Sequence, residues 1–238
     1  MSENGIVTII PDTGYQIGSV DVNGETVDIP ADGKLSGLDG DDSVVVTFER
    51  VPDATDLPFA DVALSDWYRK AVEYVYEKGI MNGTSDTTFS PSTTTTRGMI
   101  VTILYRLEGE PDAAASSFTD VVSNMYYEDA INWAAANGIV NGITTTTFGP
   151  DNAITREQMA AILYRYAQYK GYDVTASNDL GSYTDASQIS AYATTAMQWA
   201  NAEGLITGNT TTTINPIGNA TRAEVATILM RFCENIAG

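Results

Sequence analysis

The chain has 238 residues, a formal charge of -19 and no histidine. Such an acidic balance excludes nucleic acid, whose phosphates need a basic footprint, and adhesion to an anionic membrane surface. Without histidine the commonest general base and the commonest metal ligand are both missing, and no metal or cofactor is expected.

No stretch is long and apolar enough to cross a membrane, so no membrane insertion is expected. Met1-Ser2-Glu3-Asn4 leads into no apolar h-region, so no signal peptide is expected; an exported parent would be longer than this chain. The single cysteine, Cys233, has no intrachain disulfide partner and is expected to fill core space.

Residues 1–52 read as a small all-β module of three or four strands. Short β-branched runs at 6–10, 18–22, 26–29 and 43–48 are separated by turn residues at 11–14, 23–24 and 39–42. Asn23-Gly24 is the two-residue signature of a type I′ hairpin. A short linker at 52–58 follows.

From residue 59 onward the chain repeats itself three times. The copies open at Phe59, Phe118 and Tyr183, and each opening carries an aspartate two positions on: Asp61, Asp120 and Asp185. Amphipathic helices are predicted at about 67–78, 126–137 and 192–203, opening on Trp67, Tyr126 and Tyr192 and ending at Gly79, Gly138 and Gly204, each placed for an αL cap. An apolar pair and a further glycine come next (Gly83, Gly142, Gly208), then a threonine-rich turn and a proline: Pro91, Pro150 or Pro216. A second amphipathic helix closes each copy, with Thr96, Thr155 or Thr221 as N-cap and Arg97, Arg156 or Arg222 in the first turn. Arg106, Arg165 and Arg231 stand two and a half turns later, hence on the opposite helix face, and read as structural. Six arginines in three matched pairs, out of only 12 Lys+Arg, mark a repeat protein. The repeats are bounded at 57–110, 116–171 and 181–238.

A first-turn arginine lies beside unpaired helix N–H groups and the positive end of the helix dipole, a combination that favours a carboxylate or phosphate. The alternative is that Arg97, Arg156 and Arg222 bridge to the opening aspartates and lock the repeats together.

This grammar resembles the S-layer homology domain, of which many bacterial surface proteins carry three copies. The matching residues are Phe59-Ala60-Asp61-Val62 and its counterparts, the aromatic opening the first helix, Gly138-Ile139 followed by Gly142, Phe148-Gly149-Pro150, and Thr221-Arg222-Ala223-Glu224. The resemblance covers residues 59–236. The N-terminal module is similar to β-repeats of large exported bacterial proteins, through Gly14-Tyr15 and Val22-Asn23-Gly24. The family implies a mainly α fold in which three repeats form a pseudo-threefold, three-pronged helical spindle. It also implies noncovalent attachment to secondary cell-wall polysaccharide, often pyruvylated, in grooves between repeats, and hence an extracellular, cell-wall location.

Carried onto this chain, the resemblance names Arg97, Arg156 and Arg222 as polysaccharide-binding. Asp61, Asp120 and Asp185 either bond sugar hydroxyls or cap the turn before the first helix. Trp67, Tyr126 and Tyr192 either stack on sugar or pack in the core. Gly83, Gly142 and Gly208 either meet a need for positive φ or line a groove with their N–H groups. Tyr74, Trp133 and Trp199 read as core.

Only repeat three keeps threonine, arginine, alanine and glutamate together; repeat two has Thr155-Arg156-Glu157-Gln158 and repeat one Thr96-Arg97-Gly98-Met99, so the three grooves are expected to differ. The leading reading is a non-enzymatic anchor that holds a larger exported protein to cell-wall polysaccharide. The alternative is a self-assembly module of a surface layer with no glycan affinity. A glycosidase built on paired carboxylates is a third reading, but 31 acidic residues supply such a pair anywhere.

Overall fold

The structure, a computed structural model, describes residues 5–12, 15–28, 33–50 and 57–237. It divides into two compact units: one runs up to Leu57 and includes Ala63–Asp66, and the other comprises Pro58–Val62 and Trp67 onward.

The smaller unit is all-β. Strand β1 (Gly5–Thr8) pairs antiparallel with β4 (Lys34–Leu38), and β2 (Tyr15–Val22) lies between β3 (Glu25–Thr26) and β5 (Val44–Arg50). Asn23 and Gly24 take φ of 55° and 88°, as a type I′ turn requires, and set Val22 opposite Glu25. Among the described residues five strands occur where three or four were expected, because β4 lacks the β-branched alternation that marks a strand. Its register slips at Gly37 (φ 87°): Gly5 pairs with Leu38 while Ile6 pairs with Ser36. That bulge turns Leu38 to the side of Leu35, and both join Ile9 and Val20 in the core. The predicted strand at 26–29 and the linker at 52–58 run partly outside the described residues.

The larger unit holds six α-helices: α1 (Arg69–Glu77), α2 (Arg97–Leu107), α3 (Glu128–Ala136), α4 (Arg156–Lys170), α5 (Thr194–Ala202) and α6 (Arg222–Asn235). The first helix of each repeat starts two residues later than predicted. Trp67, Tyr126 and Tyr192 therefore lie ahead of α1, α3 and α5 instead of opening them. Each of these helices is stopped by its glycine: Gly79, Gly138 and Gly204 have φ of 66°, 67° and 68°, where an L side chain would be strained.

Helix pairing crosses the repeat boundaries. The first helix of one repeat packs on the closing helix of the repeat before it: α3 on α2, α5 on α4, and α1 on α6, which closes the set. Three short β-bridges join the segments ahead of the closing helices in the same cyclic order, at Thr96–Ala153, Thr155–Asn219 and Thr94–Thr221. At their far ends the closing helices meet through side chains. The Tyr166 and Phe232 rings lie 5.7 Å apart, and the Tyr166 hydroxyl donates to Glu108 at 2.6 Å. Trp133 and Trp199 are buried as expected; Tyr74 at the matched position is half-buried. Cys233 is half-buried too, with its thiol pushed up by burial.

Candidate functional site

The start of each closing helix is built from two repeats. Thr96, Thr155 and Thr221 cap it by accepting the N–H of Met99, Gln158 or Glu224, and in α4 and α6 the glutamine or glutamate returns the bond in a capping box. The first two helical N–H groups go to carbonyls of the next repeat. Arg97 and Gly98 donate to Asn152 and Pro150, Arg156 and Glu157 to Gly218 and Pro216, and Arg222 and Ala223 to Thr93 and Pro91, all at 2.9–3.0 Å. These N–H groups are spent on the fold. The expectation of an anion held at the helix terminus is corrected accordingly, since the donors it needs are already bonded.

The first-turn arginines are buried, at 5% (Arg97), 6% (Arg156) and 8% (Arg222) exposure. Each reaches into the next repeat and donates Nε to the carbonyl of the residue two before its proline. Arg97 bonds Phe148 at 2.9 Å, Arg156 bonds Ile214 at 3.0 Å and Arg222 bonds Phe89 at 2.7 Å. Nη2 reaches a second carbonyl, of Asn141, Thr207 or Asn82 respectively. Arg97 and Arg222 also lie 4.6 Å over the rings of Phe148 and Phe89. Ile214 gives Arg156 no ring, and Arg156 instead pairs with Glu224 at 3.4 Å. Burial lowers the pKa of all three guanidiniums; a second arginine adds to this for Arg97 (Arg165) and Arg156 (Arg231), which places like charges near one another. They stay charged at any ordinary pH.

The opening aspartates neither cap the first helices nor line a groove. The residues before those helices, Tyr68, Tyr127 and Ala193, make no side-chain cap bond. Each carboxylate accepts two consecutive N–H groups inside its own repeat: Asp61 from Phe89 and Ser90, Asp120 from Phe148 and Gly149, and Asp185 from Ile214 and Asn215, at 2.7–2.9 Å. Burial works against the charged form of Asp120 and Asp185, but these bonds, with Arg97 and Arg156, carry both below the usual range. No salt bridge joins an opening aspartate to a first-turn arginine among the described residues; the two grip one peptide from opposite sides.

Gly83, Gly142 and Gly208 do not have positive φ, which corrects that part of their reading. Close packing demands them. A Cβ on Gly142 would sit 2.1 Å from the Thr144 carbonyl oxygen and 2.5 Å from the Phe118 ring, and Gly83 and Gly208 are hemmed in alike.

Three grooves result, each drawn from all three repeats. Groove I has a volume of about 340 Å³ and combines Arg97 with Gly142, Gln158, Arg165 and Tyr192. Groove II, about 420 Å³, combines Arg156 with Gly208, Glu224, Arg231 and Trp67. Groove III, about 160 Å³, combines Arg222 with Gly83, Met99, Arg106 and Tyr126. The aromatics are surface residues, with Trp67 68%, Tyr126 51% and Tyr192 54% exposed, so the core-packing alternative is set aside for them.

The second arginines correct a further expectation in part: Arg231 does play a structural role, donating Nη1 to the Gly204 carbonyl at the end of α5. Arg106, Arg165 and Arg231 do lie opposite the first-turn arginine of their own helix, yet each faces the first-turn arginine of the preceding repeat across a groove. Their recurrence in matched pairs was the available signal; which helices lie side by side was not in it. The grooves also differ in the side chain at one lining position: Glu224, paired with Arg156, in groove II, neutral Gln158 in groove I and apolar Met99 in the smaller groove III, where Arg106 pairs with Glu110 at 3.8 Å.

Comparison with known proteins bears on the same stretch. The S-layer homology domain pattern matches residues 58–98, 117–160 and 182–226. Similar relatives include an endoglucanase of Bacillus sp. (strain KSM-635), 35% identical over 76% of this chain and 19% of its own length. A surface-layer 125 kDa protein of Lysinibacillus sphaericus is 31% identical over 73% of this chain and 14% of its own. An amylopullulanase of Thermoanaerobacterium thermosulfurigenes is 32% identical over 75% of this chain and 10% of its own. The chain thus spans less than a fifth of the length of these curated relatives. With three tandem matches over more than half of its length, the chain belongs to the S-layer homology domain family.

Proposed function

We propose that this chain is a noncovalent anchor, holding a larger exported protein to the bacterial cell wall by binding an anionic secondary cell-wall polysaccharide in its three grooves. The observation that carries the reading is the pairing of two arginines from two repeats across each groove, with an exposed aromatic from the remaining repeat at the rim: Tyr192, Trp67 or Tyr126. A guanidinium held rigidly by carbonyls keeps its charge and presents a fixed edge, which suits a planar carboxylate such as a pyruvyl group. Each such charge-assisted contact is worth about 1.5–3 kcal/mol. The aromatic offers an apolar face to a sugar ring, and Gly142 or its counterparts let the chain approach the backbone closely. In this reading the opening aspartates position the grooves and do not touch sugar.

The relatives support an anchoring role over catalysis. Proteins named endoglucanase, amylopullulanase and surface-layer protein share this stretch over a small part of their length, so what they share is not one reaction. We read the larger unit as a pseudo-threefold, three-pronged spindle of repeats 57–110, 116–171 and 181–238; the cyclic helix pairing supports this. The test is a pull-down with purified bacterial sacculi before and after acid extraction of the wall polysaccharide. Retention that disappears with the polysaccharide is expected. Equal retention on extracted sacculi would reject the reading, and association of the chain with itself instead would favour a surface-layer assembly module.

A further inference from the structure

Groove I does not end at Arg165. Beyond it lies a second compartment of about 300 Å³, lined by Tyr164, Gln168 and Thr195, with Ala161, Arg165 and Tyr192 facing both spaces. Two features peculiar to repeat two shape this junction. At the position of Ala161 the other closing helices carry Thr102 and Thr227, whose hydroxyls fold back onto the Gly98 and Ala223 carbonyls. Alanine removes that bulk where the two compartments meet.

The second feature is Glu157, which stands where the other repeats have Gly98 and Ala223. It is a buried carboxylate, 5% exposed, and its oxygens accept the Ser190 N–H at 2.8 Å, the Ser190 hydroxyl at 2.8 Å and the Tyr192 hydroxyl at 3.1 Å. Burial and the Glu157 charge push the Tyr192 phenol up to about 12, so it remains a donor at neutral pH and the ring stays tied to Glu157. Tyr192 therefore forms a fixed partition between the two spaces. On the far side, Tyr164 is held edge-on against Trp199 at 5.5 Å, and with Gln168 and Thr195 it offers neutral donors and acceptors suited to sugar hydroxyls.

We propose that groove I is a two-sugar site, which takes an anionic sugar against Arg97 and Arg165 and the adjoining neutral sugar of the same chain in the Tyr164–Gln168–Thr195 compartment. Glu157 acts as the positioning residue that holds Tyr192 between them. This rests on the anchoring function proposed above and adds to it a length of glycan and a direction.

The experiment is an amide NMR titration of the full chain with size-fractionated one-sugar and two-sugar fragments from partial hydrolysis of a pyruvylated wall polysaccharide. Gly142 reports the first compartment, and Gln168 and Thr195 report the second, so grooves II and III do not mask the reading. The one-sugar fragment is expected to shift Gly142 alone. The two-sugar fragment is expected to shift both sets and to bind about two- to tenfold tighter, the gain that one or two neutral hydrogen bonds provide. Thr195→Trp, at an exposed helix position, fills the second compartment; it is expected to erase that gain and leave one-sugar binding within about twofold. Glu157→Gln is expected to reduce the gain as well. A two-sugar fragment that leaves Gln168 and Thr195 unmoved, or binds no tighter than one sugar, overturns the two-sugar site while leaving the anionic groove intact. If neither fragment shifts Gly142, groove I takes no sugar and this inference fails; if Gly83 and Gly208, which line the other two grooves, are unmoved as well, the anchoring function itself fails.

Discussion

Arg97 and Asp120, from neighbouring repeats, hold Phe148 from its two sides. Asp120 accepts its N–H at 2.8 Å and Arg97 donates Nε to its carbonyl at 2.9 Å. The same bracket recurs with Arg156 and Asp185 around Ile214, and with Arg222 and Asp61 around Phe89. Each loop is thus shaped by its own repeat and gripped by the previous one, so stability and groove geometry are coupled. Asp120→Asn keeps the shape but turns an NH2 toward an N–H. A loss of about 1–3 kcal/mol in unfolding free energy is expected, with weaker ligand binding in groove I. Chemical denaturation of the variant checks it; an unchanged midpoint contradicts the bracket.

Acid should undo two of these brackets. Asp120 and Asp185 have native pKa values below the unfolded carboxylate value of about 3.9, so their contribution is complete above that pH and fades as pH falls through the lowered native values. Melting temperature measured from pH 7 down to 2 is expected to drop below about pH 4. In Asp120→Asn/Asp185→Asn that part of the slope should flatten. A double variant with the parental slope would show that other carboxylates govern acid unfolding.

Glycines separated by four residues should respond for different reasons. Gly138→Ala meets no neighbour within 4 Å and faces only the cost of φ 67°, about 1–2 kcal/mol. Gly142→Ala drives a methyl against the Thr144 carbonyl, which cannot yield as a flexible side chain would. A loss at or above about 3 kcal/mol is expected, the upper end for overpacking. Equal melting shifts for the two would refute this account of Gly142.

Cyclic closure makes the repeats interdependent. Removing residues 181–238 strips α1 of its partner α6 and α4 of its partner α5, and takes away the Ile214 and Thr207 carbonyls that receive the buried Arg156. The truncated chain is expected to lose its cooperative melt or aggregate. A sharp transition near the parental temperature would mean the repeats fold as independent beads.

Much of this was legible in the sequence because it is local. Thr96, Thr155 and Thr221 cap by their own chemistry, Gly79, Gly138 and Gly204 end helices by their own freedom, and Asn23-Gly24 turns by itself. The threefold recurrence told which positions mattered. What could not be read was which repeat's residue meets which. Helical periodicity sets Arg165 opposite Arg156 on one helix, but only the packing of neighbouring repeats sets it beside Arg97. Gly142 looked like a backbone requirement because its crowding comes from a turn that folds the Thr144 and Thr147 carbonyls back onto it and from Phe118, distant in sequence; β4 was invisible because its two core leucines are brought to one side by a bulge.

The pairing of arginines across the grooves is the centre of the functional account, and Arg106, Arg165 and Arg231 test it best because the carbonyl bonds between repeats belong to the other three, whereas Arg231 bonds the Gly204 carbonyl of its own repeat. The measurement is a titration of wall polysaccharide against single Arg→Ala variants and the triple, with melting temperatures in parallel. One lost contact is expected to weaken its groove by about 10- to 100-fold, with single losses partly hidden by avidity on a polymer. The triple variant should stay folded and lose binding, and Arg165→Lys should restore only part, since an ammonium lacks the bidentate fork. A folded triple variant that binds like the parent would contradict the account.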